Sequence, residues 1–220
     1  MFARHISLTG IALLCFSATA TAELPNYNYI EASFITGEAD ADELGDIDQD
    51  GYRIDASASL IDDQLWIFAS YGETDGDDDF NISGQNTNVD LEVESFKTGI
   101  GVILQPDGLD NMTVDFSVSY RKDDFDADPD VDKFGSLSNR GNAQGWGLAV
   151  GLRSNVNDWL ELFGRLGILT SDYDNNPTYE LGATWNIGDS FGATLAYEYL
   201  DVDDFETDLS NFRLGARYKF

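Results

Sequence analysis

Period-two alternation runs through this chain from Tyr27 to its last residue, and it leaves few folds open. In Arg53-Ile54-Asp55-Ala56-Ser57-Ala58-Ser59-Leu60 every second side chain is apolar. Thr113-Val114-Asp115-Phe116-Ser117-Val118-Ser119-Tyr120 repeats the pattern, and so does 211–220. Successive side chains of a strand point to opposite faces, so these are strands with one apolar and one polar face. Ten segments carry the signal: 27–37, 51–60, 65–74, 91–104, 111–122, 142–154, 159–171, 178–187, 191–200 and 209–220. Short turns fall at Asp62-Asp63, Pro106-Asp107-Gly108, Asn155-Val156-Asn157 and Gly188-Asp189. Longer polar stretches, read as loops, fall at 38–50, 75–90, 123–141, 172–177 and 201–208. The expectation is an all-β fold: an antiparallel up-and-down transmembrane β-barrel of about ten strands, with eight as the alternative. Short turns at one end and long loops at the other is the outer-membrane arrangement, with the short turns periplasmic.

A soluble barrel also alternates, with its apolar face inward. Three features place lipid outside instead. One face is apolar throughout the ten segments, including Ile30, Ala32, Phe34, Ile67, Phe96, Ile100, Val102, Trp146, Leu148, Val150, Leu181, Trp185, Leu195, Leu214 and Ala216. The other face mixes small residues with charges of both signs: Glu31, Arg53, Asp55, Lys97, Asp115, Arg121, Arg153, Glu161, Arg165, Glu180, Glu198, Arg213, Arg217 and Lys219. Opposite charges in a narrow lumen must pair, because an unpaired buried charge is expensive. Aromatic residues also cluster at the ends of the apolar face (Tyr71, Tyr120, Tyr179, Tyr197, Tyr199, Tyr218 and Phe220), as in interfacial girdles.

The first 22 residues read as a secretory signal, leaving 23–220 as a single barrel domain. Arg4 and His5 give a positive start, Ile6 to Phe16 an apolar stretch, and Ala20-Thr21-Ala22 a small-residue cleavage site. His5 is the only histidine and Cys15 the only cysteine, and both leave with the signal. Imidazole or thiolate catalysis, thiolate metal sites and disulfides are thereby excluded from the mature chain. The net charge of -29 argues against a nucleic-acid partner, which requires a basic surface. No later stretch is apolar enough for a helical membrane span.

The terminal Arg217-Tyr218-Lys219-Phe220 resembles the C-terminal signal of outer-membrane barrels, which the barrel assembly machinery reads. The mature chain resembles the small outer-membrane β-barrel (porin-like) families. Tyr27-Asn28-Tyr29-Ile30-Glu31, Asp50-Gly51-Tyr52 and Ile67-Phe68-Ala69-Ser70-Tyr71 are similar to one subgroup, the small barrels linked to plant immunity in xanthomonads. The resemblance implies a location in the outer membrane of a Gram-negative bacterium, with lipid and lipopolysaccharide as partners. It carries no site residues. Small-barrel enzymes of that membrane, such as omptin proteases and phospholipase A, use a histidine that the mature chain lacks.

One stretch suggests metal chemistry. Asp46-Ile47-Asp48-Gln49-Asp50-Gly51 matches the first half of an EF-hand calcium loop, with oxygen ligands Asp46, Asp48 and Asp50 and a turn glycine. The second half departs from it: Arg53 and Ser57 stand where an apolar residue and a bidentate Glu belong. Acidic runs at 75–79 and 124–132 are ordinarily solvated surface, though they could gather divalent ions that bridge to lipopolysaccharide phosphates. The expected function is a non-enzymatic, monomeric outer-membrane barrel with acidic extracellular loops and a structural or surface-interaction role. The alternatives are a small-solute channel and a surface protein binding divalent cations. No catalytic residue or tightly held cofactor is expected, calcium being the one candidate.

Overall fold

The computed structural model describes residues 24–41, 45–61, 64–82, 85–131, 135–136, 139–171, 175–202 and 207–220. The expected signal segment, with His5 and Cys15, lies outside them. Ten strands form the wall: β1 (Tyr29–Ala41), β2 (Gly45–Leu60), β3 (Leu65–Ile82), β4 (Gln85–Leu104), β5 (Met112–Val131), β6 (Asn139–Asn157), β7 (Leu160–Ser171), β8 (Asn175–Ile187), β9 (Phe191–Val202) and β10 (Thr207–Lys219). A two-residue strand, Gly135–Ser136, pairs with the end of β5. Each strand runs antiparallel to the next, and β10 closes on β1 from Tyr29 opposite Lys219 to Ala41 opposite Thr207. The result is a closed ten-strand antiparallel barrel, with ten strands rather than eight.

Closure fixes the tilt. The pairing row that starts at Leu60 of β2 passes Leu65, Val102, Phe116, Val150, Leu166, Tyr179, Tyr199, Ser210 and Glu38. It re-enters β2 at Asp48, twelve residues from its start. A stagger of that size over ten strands tilts them by about 40° to the barrel axis. Ten residues at that tilt rise roughly 25 Å, the height of the apolar band of a membrane barrel.

The assigned faces are those observed. Among the described residues thirty large apolar or aromatic side chains stand exposed, including Phe34, Ile100, Leu148, Leu166 and Leu214. Holding each in water costs about 1.5–3 kcal/mol relative to burial, a penalty that hydrocarbon removes. Inward-facing polar groups are buried instead, with Glu31 at 1% and Asp115 at 0% exposure. Tyr71, Tyr120, Tyr179, Tyr197, Tyr199, Tyr218 and Phe220 lie on the outer face; Tyr179 and Tyr199 stack at 4.5 Å, and Tyr218 packs on Phe191 at 5.4 Å.

The long loops are the main correction. Most of 38–50, 75–90 and 123–141 is strand, so that β4 and β5 each run for 20 residues. The alternation persists past the apolar band with its polarity reversed. Ile47, Val89 and Val93 turn inward and are buried, while Asp48, Asp50, Asp90, Glu92 and Glu94 turn outward. Water outside and an apolar interior suit a soluble barrel wall, so the strands do not stop where the lipid does. One turn also moves: 155–157 stays in strand with a register shift, and the chain reverses at Asp158-Trp159.

Two glycines make room inside the barrel. A Cβ on Gly101 would lie 2.3 Å from Nε1 of Trp66 and 2.6 Å from the Phe116 carbonyl, and one on Gly182 would meet the Phe163 ring at 2.3 Å. Gly101→Val is therefore expected to cost about 1–3 kcal/mol in denaturant unfolding of the refolded barrel. Gly141→Ala, where a Cβ meets nothing within 4 Å, should leave the midpoint unchanged.

Candidate functional site

The lumen is occupied from end to end. At the short-turn end the chain before β1 folds beneath the barrel and carries Tyr27 into it. Tyr27 (4% exposed), Trp66 and Ile103 form a buried apolar cluster, with Phe68 packed against it. The Trp66 and Phe68 rings stack at 4.5 Å. The Tyr27 hydroxyl donates to Oδ2 of Asp115 at 3.1 Å, which ties the plug to the charges above it. Arginines lie over these rings: Arg153 is 4.5 Å from the Tyr27 centroid, Arg165 is 5.1 Å from Trp66 and Arg217 is 4.0 Å from Tyr29.

Above the plug the lumen holds a ladder of ion pairs. Arg217 Nε donates to Glu31 Oε2 at 2.7 Å, and the Thr194 hydroxyl donates to the same oxygen at 2.7 Å. Arg153 pairs with Glu161 at 2.5 Å, Arg165 with Asp115 at 3.0 Å and Arg213 with Glu180 at 2.7 Å. Arg53 holds both Asp55 at 2.9 Å and Glu198 at 2.6 Å, and Arg121 holds Asp123 at 2.8 Å. Every charge assigned to the lumen from the alternation lies there. Asp123 was missed, although it is two residues beyond Arg121 in the same phase.

Higher still, Ala39, Ile47 and Val89 form a second buried cluster, with Leu91 and Leu209 against it. The alternation 89–94, Val-Asp-Leu-Glu-Val-Glu, carried this signal, because its apolar residues are in phase with Lys97 rather than with Phe96. A larger hollow of about 730 Å³, lined by Ile100, Val102, Phe116, Leu148 and Leu166 among others, opens on the outer face. It belongs to the apolar outer band.

The outer face above that band is acidic across β2 to β5. One lateral row reads Asp50, Asp75, Glu92, Asp126 across β2 to β5, and the next reads Tyr52, Glu73, Glu94, Asp124. Across β7 and β8 the described outward residues toward the same end are neutral, including Thr170, Asn175, Pro177 and Tyr179, whereas β10 and β1 set Asp208 opposite Asp40. Directly opposed side chains are about 5 Å apart, and like charges there destabilise the sheet. Partial desolvation and then the charges of Asp75, Glu73, Glu94 and Asp126 push the Glu92 carboxyl above its usual range. Tyr52 relieves one neighbour by donating to Glu73 Oε2 at 2.7 Å, and Lys122 pairs with Asp124. Glu73, Asp75 and Glu92 bring carboxylate oxygens within 4.8 Å of one another.

The expected calcium loop is not a loop. Asp46, Asp48 and Asp50 lie in β2, paired opposite Asp40, Glu38 and Thr36 of β1. Alternate residues of a strand stand roughly 6.6 Å apart along it, a wider spacing than the tight turn of the motif. Asp50 instead takes a place in the acidic wall, opposite Asp75. No sequence motif announced the Glu73, Asp75, Glu92 group, because only the strand register brings it together.

No protein-family model matches the chain. No curated protein matches it in sequence. Solved structures match in shape. The translocator domain of the autotransporter NalP from Neisseria meningitidis aligns over 90% of this chain and 90% of its own, at 12% identity and a TM-score of 0.58. The transport unit of the autotransporter AIDA-I from Escherichia coli aligns over 87% of this chain and 89% of its own, at 12% identity and a TM-score of 0.52. The outer membrane protease OmpT from Escherichia coli aligns over 88% of this chain and 97% of its own, at 10% identity and a TM-score of 0.52. At these identities the likeness is one of fold: this chain is a β-barrel of the outer-membrane type.

Removing one buried partner should expose how far the ladder is coupled. Glu31→Ala leaves the Arg217 and Arg213 guanidinium groups short of a carboxylate, and about 3–5 kcal/mol of unfolding free energy should be lost. Lys122→Ala, on the outer surface, should leave the same denaturation curve unmoved.

Proposed function

We propose that this chain is a closed, non-enzymatic barrel of a Gram-negative outer membrane that acts at the cell surface through the acidic wall of β2 to β5. The observation that carries this reading is the filling of the lumen. Apolar clusters lie at both ends, paired charges lie between them, and the polar surface left for a partner is outside. On this reading the band is surrounded by membrane lipid, and lipopolysaccharide lies beside the wall. The barrel assembly machinery reads the terminal strand during biogenesis, and the barrel works as a monomer. The likeness of short segments to the xanthomonad immunity-associated subgroup fits a surface role but assigns no activity.

Transport, for which AIDA-I's unit is named, and proteolysis, for which OmpT is, each need something this lumen does not favour. A passage would have to displace Tyr27 and Trp66 below and Ile47 and Val89 above. Hydrolysis would have to proceed without histidine or cysteine among the described residues, from carboxylates already held by arginine. A small-solute channel meets the same two plugs. Planar-bilayer recording of the purified, refolded barrel tests the closed reading. A flat baseline is expected across salt concentrations, and steady salt-dependent steps would overturn it.

The convergence of Glu73, Asp75 and Glu92 favours a second role, the loose binding of divalent cations that bridge the wall to lipopolysaccharide phosphates. Isothermal titration of the refolded barrel with calcium should show weak binding in the millimolar range, reduced by Glu92→Gln. Absence of heat at millimolar calcium would remove this role and leave the closed-barrel reading intact.

A further inference from the structure

One deep lumen cation lacks a carboxylate in contact. Eight basic side chains face seven carboxylates in the ladder, and each of the six arginines has a carboxylate within 3.0 Å. The two lysines do not. Lys219 sits at the short-turn mouth, where its ammonium donates to Asn186 Oδ1 at 3.1 Å. Lys97 lies deep inside, on β4 between the two plugs. Among the described residues no carboxylate stands within ion-pair distance of its Nζ, and the Phe68 ring lies 6.0 Å away. Glu198 is nearby in the lumen, but Arg53 takes one of its oxygens at 2.6 Å and Arg121 approaches the other at 3.9 Å.

The space around Lys97 is built for something negative. A cavity of about 70 Å³ is lined by Lys97, Arg53, Arg121, Arg213, Gln49 and Glu198, among others. A second of about 30 Å³ lies on the other side of Lys97 and adds Arg165 to the lining. Two deeply buried side chains in the larger cavity carry donors with no hydrogen-bond partner. These are Nε2 of Gln49, a residue 3% exposed, and Nε of Arg213, a residue 7% exposed. The nearest carboxylate oxygen to that Nε, on Glu31, is 3.7 Å away. Unpartnered buried donors are rare and need an occupant. A water occupies roughly 10–15 Å³ of such space, so the larger cavity has room for a small ion with a water or two. Those waters also serve Asn211 Oδ1, an orphaned acceptor on the same wall. Water alone would satisfy the donors but leave the Lys97 ammonium without a counter-charge in contact, which a desolvated site tolerates poorly.

We propose that the lumen holds one small monovalent anion, a halide or a small carboxylate such as formate, against Lys97 in this cavity. The anion gives Lys97 the contacting counter-charge it lacks and accepts from Gln49 Nε2 and Arg213 Nε. Because both ends of the lumen are plugged, it is taken up as the barrel closes rather than through a pore.

The test is a crystal structure of the whole barrel refolded in sodium bromide, with data collected at the bromine absorption edge. An anomalous peak in the cavity, in contact with Lys97 Nζ, is expected in the wild type and not in Lys97→Met. The unfolding midpoint of the wild type should also rise with chloride, bromide or formate, compared with sulfate at equal ionic strength. That of Lys97→Met should not depend on the anion. A wild-type cavity holding only water, or a bromide peak that persists in Lys97→Met, overturns the proposal. The wild-type crystal decides alone should the variant fail to refold.

Discussion

A backbone that lies in hydrocarbon has no water to turn to, so each N–H and C=O must find its partner within the protein. In this chain that requirement is met by the pairing of β10 with β1 through thirteen residue pairs. The stagger of twelve, the tilt and the height of the apolar band follow once the ring is closed. The interior then follows in turn, because a ring of ten strands encloses a bore narrow enough for side chains to fill.

Filling that bore is an electrostatic problem as much as a packing one. Glu31, Asp115 and Glu161 are almost fully enclosed, and each is met by an arginine carried on another strand. Two of these pairs join neighbouring strands and the Arg165–Asp115 pair skips one; Arg217 and Glu31, 186 residues apart in sequence, meet across the seam that closes the ring. Such pairs need not add net stability over an apolar core, but once present neither partner can be removed cheaply. The rings at the short-turn end extend the scheme, since arginines that pair with carboxylates also stack on Tyr27, Tyr29 and Trp66.

Above the lipid the wall changes its chemistry but not its geometry. The phase of the alternation is unbroken from Val89 to Val102, yet outward residues pass from Asp90, Glu92 and Glu94 to Phe96, Ile100 and Val102. The inner residues change in the opposite sense, from Val89, Leu91 and Val93 to Ser95 and Lys97. The same strand is thus a soluble barrel wall at one end and a membrane barrel wall at the other. This is why stretches rich in aspartate read as loops in the sequence. Their composition is that of solvated surface, whereas the strand signal lies in the spacing of a few apolar residues between the acids.

The strands, the two faces and the identity of the lumen charges could be read in the chain itself, because a period of two is a local property of the backbone and each side chain's direction follows from it. The apolar outer face, from Ile30 and Phe34 to Leu214, needed no knowledge of partners. Which charge meets which did not follow, nor did the plugs. Arg53 reaches Glu198, and Tyr27 reaches Asp115, only because the ring closes. The same holds for the acidic groups: Asp46, Asp48 and Asp50 are neighbours in sequence but spread along a strand, whereas Glu73, Asp75 and Glu92 converge through the register of β3 and β4. Alternation sets direction along one strand; contact across the barrel depends on stagger and closure, which no single segment contains.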